Sequence, residues 1–132
     1  MARSSPAPLK HPATGELAEH FARLLQLAQD LPDAEESRSY GTPSIKVKGK
    51  LIGRLRTEAE GAFAMQCDFP ERQMLLQAAP EAFFVTDHYE PYPMVLVRLD
   101  QVRWDAMPQL LEAAYRLVAP KTQLKALDAR SD

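Results

Sequence analysis

The spacing of the apolar residues changes twice along this chain, and those changes constrain its fold more than any single motif does. Leu17, Phe21, Leu24, Leu25 and Ala28 recur at a helical period of about 3.6, with Glu19, Arg23 and Gln26 off the stripe. This predicts a first helix from Thr14 that stops at Leu31-Pro32-Asp33. From Glu35 the period falls to about 2, predicting strands over 35–40, 44–47, 51–56 and 61–67, with a bend at Gly41-Thr42-Pro43. Asp68, with Glu71 three residues on, has the form of a capping box and opens a short helix that Pro80 closes. Phe83 to Thr86 and Met94 to Leu99 form a second hairpin around a Pro-containing loop. Leu110, Leu111, Ala114, Leu117 and Val118 then restore the helical period, with Asp105 as cap and Pro108 in the first turn. Lys121 to Leu127 adds a short terminal helix.

Helix, strands, helix, strands, helix is the order of an α+β fold: two layers, an antiparallel sheet with helices mainly on one face. The 132 residues, 45% of them apolar, suit one core. The expected organisation is a flexible tail over 1–13, one domain over 14–127 and a C-terminal tail over 128–132. The net charge of −2 excludes a globally basic nucleic-acid binder. Cys67, the single cysteine, has no partner for a disulfide or a thiolate zinc site, and His11, His20 and His88 lack metal-ligand spacing, so no metal or cofactor is expected. With no apolar run long enough to span a bilayer and no signal-peptide core, the expected setting is the cytoplasm, away from membranes.

The local exception to the acidic balance is SIKVKGKLIGRLR, residues 44 to 56. Between Arg38 and Arg56 stand six cations, Arg38, Lys46, Lys48, Lys50, Arg54 and Arg56, and no carboxylate. A three-residue turn at Lys48-Gly49-Lys50 would put Ile45, Val47, Leu51, Gly53 and Leu55 on one face and Lys46, Ile52, Arg54 and Arg56 on the other. Phosphate contact through that face, and hence nucleic-acid binding, is the favoured function. Like charges two apart on a strand, roughly 6.6 Å, repel by only about 0.6 kcal/mol in water, so an ordinary solvated sheet face carries them as readily. An acidic protein surface is the alternative partner. The loop Asp87-His88-Tyr89-Glu90-Pro91-Tyr92 is a second candidate, where His88, Tyr89 and Tyr92 would hold a small ligand or brace the turn. A Cys67–His88 nucleophile lacks an orienting third group, and no other catalytic signature is present, so the expectation is a binding module and not an enzyme.

Tyr40-Gly41-Thr42-Pro43-Ser44, Val47-Lys48-Gly49-Lys50, Phe83-Phe84-Val85-Thr86-Asp87-His88-Tyr89, Val95-Leu96-Val97-Arg98-Leu99 and Tyr115-Arg116-Leu117-Val118-Ala119-Pro120-Lys121 together resemble the MmcQ/YjbR family, over residues 14 to 125. The resemblance implies a small α+β fold with two hairpin wings. It also implies the DNA-binding label that the family carries on fold similarity, although fold alone does not fix function. Family members often carry Trp in the first and last of these motifs. Here Tyr40 and Tyr115 stand there, and both are expected to be packing positions.

Overall fold

The computed structural model describes residues 9–57 and 61–131. Helix α1, Gly15–Ala28, is followed by strands β1, Ala34–Ser39, β2, Thr42–Val47, β3, Lys50–Leu55, and β4, Ala62–Gln66. Helix α2, Phe69–Ala78, leads to the two-residue strand β5, Phe83–Phe84, and to β6, Met94–Arg98. A 3-10 turn at Trp104–Ala106 opens α3, Met107–Val118, and α4, Lys121–Ser131, ends the chain. The six strands make one antiparallel sheet in the order β1-β2-β3-β4-β6-β5. The α+β class expected from the changes of period is the fold observed.

Alternation along the strands separates two faces. Ile45, Val47, Leu55, Phe63, Met65, Val95 and Val97 point to the inner face and join Leu17, Phe21, Leu24 and Ala28 of α1 and Met107, Leu111 and Tyr115 of α3 in the main core. Gly53 makes room in that core: a Cβ there would lie 2.4 Å from Phe63 Cζ and 2.9 Å from the Ala64 carbonyl oxygen. Tyr115 is fully buried, and its hydroxyl donates to the Pro32 carbonyl at 2.7 Å.

The turn between β2 and β3 is shorter than expected. Val47 pairs with Lys50, so Lys48 and Gly49 alone make the turn, both with positive φ, 48° and 78°. The odd residue sits inside β3, because Ile45 pairs with Gly53 and Lys46 with Leu51, leaving Ile52 as a bulge. This reverses two assignments: Ile52 enters the core and Leu51 lies on the outer face. Three further boundaries shift. Tyr40 and Gly41 form a tight positive-φ turn, so β2 begins at Thr42 instead of Ser44. Asp105 pairs with Arg103 instead of capping α3, whose N-cap is Ala106. Residues 128–131 are helical, not tail. Of the predicted N-terminal tail, residues 1–8 lie outside the described residues. His11 donates its backbone N–H to the Gly41 carbonyl at 2.8 Å.

Candidate functional site

The outer face of the sheet carries the features of a site. Ala62 and Ala64 of β4 are small, and over them and Leu96 lies the loop that joins β5 to β6, with Tyr89 buried at its centre. The expected wet face is therefore covered in part by a loop that brings an aromatic ring and a hydroxyl to the arginines of β3.

That loop takes its shape from α2. Asp68 caps the helix by accepting the Glu71 backbone N–H at 2.9 Å, as the capping-box spacing predicts. One turn on, Arg72 is only 7% exposed. Its Nη1 donates to the carbonyls of Tyr92 at 2.8 Å, Met94 at 3.2 Å and Tyr89 at 3.4 Å, while Nη2 donates to the Glu90 carbonyl at 3.0 Å. The Glu90 carboxylate adds an ion pair at 3.6 Å. A loop on a sheet face must satisfy its backbone carbonyls, and one guanidinium here satisfies four. Sequence reasoning passed over Arg72. The one available signal was a short helix with a poor apolar stripe, which needs some other group on its buried side.

Arg54 comes from the opposite direction. Paired with Ser44 on the outer face, it is 9% exposed and extends to Thr42, whose Oγ1 accepts from Nη1 at 3.1 Å, and to Tyr89, whose Oη accepts from Nη2 at 3.1 Å. Arg56 Nη1 shares that hydroxyl at 3.3 Å. Tyr40 sets its ring 5.1 Å from the Arg54 guanidinium and is 84% exposed, so it is not the packing position expected of it. The tight turn explains the difference, because a positive φ at Tyr40 aims the ring across the strands and away from the core. Tyr40, Leu51, Arg54, His88, Tyr89, Tyr92 and Met94 enclose an open pocket of about 490 Å³. The rings of His88 and Tyr89 meet edge to face at 4.9 Å.

The six cations therefore do not form one surface. Lys46, Arg54 and Arg56 have the outer-face register, as expected. Arg38 pairs with Pro43 and Lys50 with Val47, both in the inner-face register, and Lys48 occupies the turn. Register also sets Glu35 directly across from Lys46. His88, Tyr89 and Tyr92 all belong to the pocket, where Tyr89 both packs and accepts hydrogen bonds.

Cys67 is buried in the main core, and its thiol is pushed up to about 12, first by burial and then by the nearby Glu71 and Asp68 carboxylates. A thiol held protonated in this way is no nucleophile near neutral pH. Among the described residues no cluster of His, Cys, Asp and Glu has the form of a metal site, and no helix is long and apolar enough to cross a membrane.

A family model described as YjbR matches residues 29–117. Uncharacterised proteins of Mycobacterium bovis and Mycobacterium tuberculosis are 30% identical to the chain over 125 residues, covering 91% of it and 88% of each relative. The crystal structure of a Deinococcus radiodurans protein with a DUF419 domain matches with a TM-score of 0.67 at 22% identity, over 82% of this chain and 87% of that one. At that identity it speaks for the fold alone.

Proposed function

Since the chain belongs to the YjbR family, we propose that it is a non-catalytic binding protein that contacts the phosphates of DNA through the tip of its β2–β3 hairpin. The observation that carries this reading is the state of three lysines. Lys48 and Lys50 are exposed and Lys46 is half-buried, and among the described residues none of the three has an ion-pair partner. Gly49 stands between them in open space, with nothing within 4 Å of where a Cβ would sit. A tip of that form approaches a phosphate backbone closely, and each lysine that neutralises a phosphate releases counterions. Arg54 plays no part in this contact, because it is buried under Tyr40 and Tyr89.

Three phosphate contacts give a log–log salt slope of about −2.7 on duplex DNA, and a loss of affinity of roughly forty-fold between about 50 and 200 mM salt. Fluorescence anisotropy with duplex DNA, single-stranded DNA and heparin across a salt series measures this slope. Replacing Lys46, Lys48 and Lys50 together by Ala is expected to flatten it. A slope near zero in the unaltered protein, or binding unchanged in the triple variant, would overturn the DNA reading. Equal affinity for heparin and DNA would reduce it to a charge patch.

A further inference from the structure

Arg54 and the pocket above it have features that DNA contact at the hairpin tip does not use. A guanidinium has five N–H donors in a planar fork, and here two are engaged, both by neutral hydroxyls. Among the described residues no carboxylate lies within ion-pair distance of it, although it is nine-tenths buried. A charge taken out of water without a counter-charge is costly, and an anion that enters beside it recovers that energy through charge-assisted hydrogen bonds. Arg72 shows the contrast within the same fold: its guanidinium is saturated by four carbonyls and a carboxylate.

The walls restrict what the anion is attached to. Tyr40, with its ring almost wholly in solvent, and Tyr92, about half exposed, stand at the rim beside His88, while Leu51 and Met94 supply apolar surface. Exposed rings at the lining of an opening suit a flat π-system, which stacks or packs edge-on against them. The volume of about 490 Å³ lies within the range of small-molecule sites.

We infer that the pocket between Tyr40, Arg54, His88, Tyr89, Tyr92 and Met94 is a binding site for a small planar aromatic molecule carrying one anionic group. Arg54 holds the anion, and the rings of Tyr40 and Tyr92 hold the flat part. The pairing of an exposed ring with a charge that has no counter-ion among the described residues fits neither a purely apolar ligand nor a bare ion. The anion is a carboxylate or a phosphate, and the choice of probes separates the two.

Isothermal titration of the full chain with 4-hydroxyphenylacetate and with adenosine monophosphate tests the site, at concentrations on the order of 1 mM. Binding of the first alone identifies an aromatic carboxylate, of the second alone an aromatic phosphate, and either supports the site. The neutral counterparts, 4-hydroxyphenylacetamide and adenosine, are expected to bind about tenfold or more weakly, as loss of a charged hydrogen bond implies. The same loss is expected in Arg54→Gln. Should that variant fail to fold, Tyr40→Gly remains. It removes an exposed ring at a position whose φ of 52° suits glycine, and is expected to weaken binding severalfold at unchanged stability. The triple lysine variant is expected to bind these ligands as the unaltered protein does, so failure of the DNA reading leaves this one standing. Absence of binding by both anions, neutral counterparts that bind as well as the anions, or an unchanged affinity in Tyr40→Gly would overturn it.

Discussion

Two arginines bracket the loop between β5 and β6, Arg72 through its carbonyls and Arg54 through the hydroxyl of Tyr89. Their burial is nearly equal, yet their surroundings give them different work. Arg72 belongs to the architecture: without it the carbonyls of Tyr89, Glu90, Tyr92 and Met94 each lose one donor, and those of Tyr89 and Tyr92 keep the backbone N–H groups of Tyr92 and Met94. Arg72→Met keeps an unbranched stem and removes the donors. It is expected to lower the stability by about 2–4 kcal/mol in urea titration, because four charge-assisted hydrogen bonds and an ion pair are lost at once. Loss of amide exchange protection over residues 89–94 would accompany it, and unchanged protection there would refute the assignment. Arg54 in turn lines the pocket, with donors held by the hydroxyls of Thr42 and Tyr89.

The β2–β3 hairpin owes its register to two small irregularities. A two-residue turn with positive φ at both positions matches the twist of the strands, and Lys48 accepts that conformation at some cost, since left-handed backbone is unfavourable for a residue with a Cβ. Gly49, at φ 78°, removes the cost at the second position. Gly49→Ala, with open space around it, is expected to destabilise by about 1–2 kcal/mol through backbone strain alone. Gly53→Ala is expected to lose more, because its Cβ would enter Phe63 and the Ala64 carbonyl in a packed interior. Thermal melts of the two variants check the order, and an order reversed would mean that β3 shifts to absorb the extra carbon. The bulge at Ile52 restores the alternation that the short turn would break, and so returns Arg54 to the outer face.

At the scale of the whole molecule the core keeps two weak acids protonated. Burial raises the Cys67 thiol to about 12, and burial followed by the Asp33 carboxylate raises the Tyr115 hydroxyl. The unfolded chain releases these protons from about pH 9 to 10, where the folded protein still binds them. More protons are then bound in the native state, so the stability they contribute is whole below about pH 9 and is lost as the pH rises toward 12. Urea midpoints at neutral and at alkaline pH are expected to fall in that direction, and to fall less in a Cys67→Ala, Tyr115→Phe double variant. A midpoint that held constant or rose would contradict the burial of both groups.

Much of this architecture was legible beforehand, since apolar period is a local property set within about ten residues. The capping box at Asp68, the helix stripe of α1 and the cationic hairpin needed no partner to be recognised. The alternation placed Arg54 on the opposite face from Gly53 and Leu55, but a three-residue turn and a bulge both do this and differ only at Leu51 and Ile52, which the bulge exchanges. What the sequence determined by itself was therefore the elements, their order and the side of the sheet on which Lys46, Arg54 and Arg56 stand. Tertiary structure alone decided that Arg54 and Arg72 are buried and that a loop covers part of the expected wet face. Each of those depends on groups far along the chain, such as Tyr89, 35 residues beyond Arg54, or Tyr92, 20 beyond Arg72. A guanidinium written in a sequence has the same five donors in water or under a loop, and only the fold determines which of them remain unsatisfied.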